Sequence, residues 1–120
     1  MKILQDPDTL VGTKYDATHF NCWTFIETCL DVPKIGTIVE DMAEATINEH
    51  IPYYIELKEP IDYCLVILGK SHIGIYKDGH VYHADRDMVK CESLRAMKRK
   101  YAKIAYYTKD IPSPSYLPMH

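Results

Sequence analysis

The sequence predicts an α+β domain in which N-terminal helices pack on a central antiparallel β-sheet. Three observations lead there. Apolar residues recur at helical spacing between Asn21 and Leu30. Apolar and β-branched residues run almost unbroken from Ile61 to Leu68. The pair Asp78-Gly79, a strong short hairpin signal, joins two further apolar stretches. Helix-forming segments come first and strand-forming segments later, and 120 residues give room for one core rather than two. Residues 1–120 are therefore read as a single domain, with a core over about 15–108 and a short Pro-rich C-terminal tail at 111–120.

Residues 1–18 hold Asp6-Pro7-Asp8, Gly12 and Asp16, turn-forming types without a sustained period, and read as loop with a short strand or turn. In the first helix Cys22, Phe25, Ile26, Cys29 and Leu30 follow i, i+3, i+4, i+7, i+8, so Cys22 and Cys29 point inward and Trp23 lies on a flank. Asn21 is its cap, and Asp31-Val32-Pro33 ends it because a residue before proline is pushed out of helical conformation. A second helix is expected from about Thr37 to Asn48, stopped near Ile51-Pro52; its apolar face runs through Ile38, Met42, Ala45 and Ile47 or through Val39, Met42, Ala43 and Thr46. Tyr53 to Lys58 reads as a short strand or an extended approach, and Ile61 to Leu68 as a strand bounded by Glu59-Pro60 and Gly69-Lys70. His72 to Lys77 and Val81 to Ala84 form the hairpin arms. Met88 to Cys91 suits a further short strand, Glu92 to Lys100 has helical composition, and Lys103 to Lys109 reads as the last strand. Pro112, Pro114 and Pro118 keep the tail from continuing the sheet.

Composition narrows the function. Hydrophobic residues make up 47% and charged residues 26% of the chain, ordinary values for a folded domain. A formal charge of −3 supplies no basic field for nucleic acid or an anionic membrane, and the short cluster Lys98-Arg99-Lys100 reads as a solvated helix end where cations suit the dipole. Neither partner is expected. The opening Met-Lys-Ile-Leu-Gln-Asp-Pro-Asp lacks the apolar stretch of a signal peptide, so export by the ordinary route is not expected and the chain is read as cytoplasmic when synthesised. Without a secretory signal, Cys22, Cys29, Cys64 and Cys91 are expected as free thiols. Neither a CxxC pair nor a His-x-x-x-His spacing occurs, so no metal or other cofactor is predicted.

Chemistry concentrates at His19-Phe20-Asn21-Cys22-Trp23-Thr24-Phe25-Ile26, where a thiol sits in the first turn of a helix. Amide N–H groups there lack intrahelical partners and favour a thiolate. A thiolate nucleophile needs an imidazole to take its proton and a third group to hold that imidazole. Pairing about Asp78-Gly79 sets residues whose numbers sum to roughly 155 to 157 opposite each other, which makes His72 and His83 neighbours. The other cysteines read as core or sheet residues, and His50, His80 and His120 as surface residues; His19 reads as a surface residue placed to line a cleft beside Cys22.

The cysteine at a helix start, the apolar strand preceded by Pro60-Ile61-Asp62, His72-Ile73-Gly74-Ile75-Tyr76 and Tyr82-His83-Ala84 together resemble the NlpC family of papain-like cysteine peptidases, over roughly residues 15–108. Asn21-Cys22-Trp23 resembles the Asp-Cys-Trp variant of phage-type members. The resemblance implies a papain-like NlpC-type fold and cleavage of peptide stems in bacterial cell wall, with phage tail proteins as further partners; for a chain without a signal peptide it implies a phage or prophage origin, with action from a virion or release by lysis. By position, Cys22 is then the nucleophile, His72 the base and later the acid, and His83 the residue that orients His72; Tyr15 supplies a hydroxyl to the oxyanion and Asp62 a structural carboxylate. The chain departs from the family between the tyrosine and the cysteine, where Asp16-Ala17-Thr18-His19-Phe20-Asn21 replaces the usual Gly-Gly and Asp, and after the cysteine, where Trp23-Thr24 replaces a Ser-Gly pair. These positions floor the cleft, so the resemblance speaks more to reaction type than to substrate. Two other functions share the pattern: a non-catalytic phage tail assembly module, and a protein-modifying transferase or deamidase with the same triad.

Overall fold

The computed structural model describes residues 2–16, 20–32, 54–70 and 72–109. The helix expected over 37–48, the proline-rich tail, His19, His50 and His120 lie outside these residues.

Helix α1 (Cys22–Cys29) forms where the apolar periodicity predicts it. Asn21 caps it in an extended conformation: its Oδ1 accepts from Trp23 N–H and Thr24 N–H, both at 3.0 Å, while Thr24 Oγ1 accepts from Asn21 N–H at 2.7 Å. The helix stops at Cys29, ahead of Pro33, because the N-terminal segment takes over its last carbonyls: Leu4 N–H and Gln5 N–H both donate to Cys29 O, at 2.8 and 3.2 Å, and Ile3 bridges Leu30. Trp23, on the flank of the helix, is buried as well. It is 1% exposed, with its indole N–H on Glu27 at 3.0 Å. Burying a large apolar side chain such as Phe25 or Ile26 contributes about 1.5–3 kcal/mol, enough to order a helix too short to persist alone.

Among the described residues six strands make one antiparallel sheet in the order β1-β6-β2-β3-β4-β5: β1 (Ile55–Leu57), β2 (Leu65–Leu68), β3 (His72–Lys77), β4 (His80–Ala84), β5 (Val89–Ser93) and β6 (Ile104–Thr108). The α+β prediction with an antiparallel sheet thus holds at the level of class and layer. The β3–β4 turn has positive φ at both central residues, 49° at Asp78 and 79° at Gly79, the pattern of a type I′ hairpin. Asp62 Oδ1 accepts from Asp78 N–H at 2.9 Å, a structural task for that carboxylate.

Two boundaries differ from expectation. The strand predicted from Ile61 begins only at Leu65, because Asp62 and Tyr63 form a turn in which Tyr63 takes φ 68°. The final helix, α2 (Leu94–Lys100), starts two residues after Glu92, because Ser93 Oγ caps it by accepting from Ala96 N–H at 3.1 Å. Glu92 consequently belongs to β5.

Strand alternation divides the core. One face carries Leu65, Ile67, Ile73, Ile75, Tyr82, Ala84 and Val89 under α1; the other carries Val66, Leu68, Val81 and Tyr106 with Met97 of α2. Among the described residues no helix is long and apolar enough to cross a membrane.

Candidate active site

Cys22 is the first residue of α1 and 2% exposed, directly behind the buried Asn21. Trp23 and Thr24 N–H are satisfied by Asn21 Oδ1, and Phe25 N–H donates to Asn21 O at 3.0 Å. The helix dipole also favours the thiolate at this position. Two other thiols lie in different surroundings: burial pushes Cys29 up to about 12 and Cys64 up to about 11, so both stay protonated. None of the four cysteines is in a disulfide, and Cys91 alone among them is exposed.

Tyr15 is half-buried and packs against the cluster that contains Cys22. Its N–H donates to Asp87 O at 3.1 Å, which ties it to the loop before β5. Asp16 and Phe20 then pair antiparallel through two backbone bonds of 3.0 and 2.8 Å, closing the base of the loop between Tyr15 and Cys22.

His72 and His83 come together. The Nε2 of His72 lies 2.8 Å from Nδ1 of His83, with ring centroids 5.0 Å apart and the rings nearly perpendicular at 84°. They are not directly opposite. The β3–β4 ladder pairs Ile75 with Tyr82 and is registered no further, so the two histidines meet diagonally beyond its end. Gly74 makes the approach feasible: a Cβ there would stand 2.7 Å from Tyr82 O, 2.9 Å from Val81 Cγ1 and 3.2 Å from His83 Cβ. The glycine of His-Ile-Gly is thus explained by close backbone passage beside the second histidine.

On its other side His83 Nε2 lies 2.7 Å from Glu92 Oε2, and Glu92 Oε1 accepts from Lys100 Nζ at 3.2 Å. His83 is 1% exposed. Burial pushes its pKa below the ordinary imidazole value, with Lys100 acting in the same direction and Glu92 and Asp85 acting against it. Burial also acts to raise the Glu92 carboxyl, but the bonds from His83 and Lys100 outweigh it and hold that group below its usual range. The two directions agree on a neutral imidazole donating to a carboxylate anion. The sequence does not single out Glu92 and Lys100, because the whole of Glu92 to Lys100 has helical composition. The signal was present in the meander register, which pairs Val81 with Glu92 and so sets Glu92 on the same face as His83.

The two parts of the expected triad approach from different sides. Regular β2–β3 pairing of Leu68 with His72 and β4–β5 pairing of His83 with Lys90 give both histidines to the face covered by α2, whereas Cys22 belongs to the cluster beneath α1. His72 is the first residue of β3 and Cys22 the first of α1, so each stands at the end of its element. Among the described residues no group of His, Cys, Asp and Glu is arranged to hold a metal ion. Compared with known proteins, the chain matches no family model, no curated protein and no solved structure.

Proposed function

We propose that the chain is an NlpC-type cysteine amidohydrolase that cleaves an amide in a peptide such as a cell-wall stem. The observation that supports it most is the 2.8 Å contact between His72 and His83, which commits one imidazole nitrogen to orientation and directs the other, Nδ1, away from its partner. In this reading Cys22 gives its proton to His72 Nδ1 and the thiolate attacks the amide carbonyl carbon. The C–N bond breaks as His72 returns the proton to the leaving amine. Water, deprotonated by His72, then attacks the thioester, and cleavage of the C–S bond frees a carboxylate and the thiol. Tyr15, packed beside the same cluster, donates to the oxyanion with the Cys22 amide.

Incubation with purified muropeptides, read by fragment mass, tests this directly. Cleavage that disappears in Cys22→Ala, and alkylation of Cys22 that outpaces the other cysteines and slows by roughly 10²-fold or more in His72→Ala, are the expected results. Equal, slow alkylation of all four cysteines would sink the reading.

The burial of Cys22, 2% exposed, favours a second reading, a phage tail assembly module that keeps the fold and works by binding. It requires a stable complex with a tail protein and assembly that is unchanged in Cys22→Ala.

A further inference from the structure

Beyond the three residues of the expected triad, the sheet carries a longer file of polar groups, His72, His83, Glu92 and Lys100, drawn from β3, β4, β5 and α2. We propose that Glu92, anchored by Lys100, is a positioning residue that fixes the tautomer of His83 and through it the tautomer of His72. The proposal rests on the reading of His72 as the catalytic base.

The reasoning is a count of protons. Two ring nitrogens facing each other at 2.8 Å share one proton, and either ring can own it. A carboxylate only accepts, so Glu92 requires the proton of neutral His83 to sit on Nε2. That leaves Nδ1 of His83 as an acceptor, and His72 must donate to it from Nε2. Neutral His72 then carries its lone pair on Nδ1, the form a base needs on the side away from His83. Without the carboxylate the opposite polarity is open: His83 Nδ1–H donates to His72 Nε2, and His72 turns an N–H where its lone pair should be. Burial of His83 at 1% exposed makes the distinction sharp, because water cannot supply the missing acceptor. Lys100, exposed at its tip, helps Glu92 stay ionised, and Ser93 fixes the distance by starting α2 immediately after the carboxylate.

Nitrogen NMR of the histidine rings in the full-length protein reads the tautomers directly. At neutral pH both rings of the wild type should show protonated Nε2 and bare Nδ1. Glu92→Leu should populate the inverted form in both rings together and slow Cys22 alkylation by roughly 10²–10⁴-fold. Glu92→Gln, which retains an acceptor oxygen, should restore part of both. A wild type with protonated His83 Nδ1 overturns the proposal, as does a folded Glu92→Leu variant with unchanged tautomers and alkylation rate. The relay stands and only the amidohydrolase reading fails if the tautomers follow Glu92 while alkylation of Cys22 ignores His72.

Discussion

At Gly74 one hydrogen atom decides whether two imidazoles can meet. A methyl group in its place collides with the backbone carbonyl of Tyr82 at 2.7 Å, an atom that cannot swing aside. Gly74→Ala is expected to destabilise the fold by about 1–3 kcal/mol, the usual cost of overpacking, and to push His83 away from His72. Urea unfolding gives the first quantity, and loss of coupling between the two ring tautomers gives the second. Much of this residue-level chemistry was legible in sequence. The hairpin dipeptide set the register, and the register made His72 and His83 neighbours. Glu92 was not legible, because Glu92 to Lys100 has the composition of a helix throughout and only the capping geometry of Ser93 shows where strand gives way to helix. The side of the sheet on which Cys22 sits was equally hidden, since periodicity shows that a face is apolar without showing which sheet face receives it.

Among the elements, α1 depends most on its ends. It has eight residues, too few to persist by propensity, and its first turn is closed by a reciprocal bond between Asn21 and Thr24. Asn21→Ala removes the acceptor of two amides and is expected to cost about 0.5–2 kcal/mol in chemical denaturation. The same change loosens the turn that holds Cys22, so the alkylation rate of that thiol should lose its reproducible single phase. The positions of α1 and of the β3–β4 hairpin agree with local patterning because each is set by neighbours in sequence. The start of β2 does not, since Tyr63 is drawn into a left-handed turn by bonds to the distant strand β3: its N–H donates to Tyr76 O at 2.6 Å. Local composition carries no trace of that partner.

For the whole molecule, the buried histidine makes stability a function of pH. Native His83 has a pKa below the unfolded value of 6.5, so between those two values the unfolded chain binds more protons than the folded one. Stability is fully present above about 6.5 and falls as the pH drops through that window. Glu92, also depressed, adds a second loss in the same direction below its ordinary value of 4.5. Denaturant midpoints taken over pH about 4 to 8 should therefore decline toward acid in two steps, with the upper step flattened in His83→Gln. A midpoint that rises between neutral pH and about 6 would contradict the neutral, buried assignment of His83.

The strand order was the least legible property, because it depends on a long return. The last strand in sequence, β6, pairs with both β1 and β2 and sits between them. A chain emerging from the ribosome therefore cannot close its sheet until Ile104–Thr108 has been made, long after α1 has left the exit tunnel. Until then β1 has no neighbouring strand, whereas the strands that lie under α1, β2 to β5, are already made and pair with one another. The surroundings of the thiol can therefore assemble before the sheet is complete.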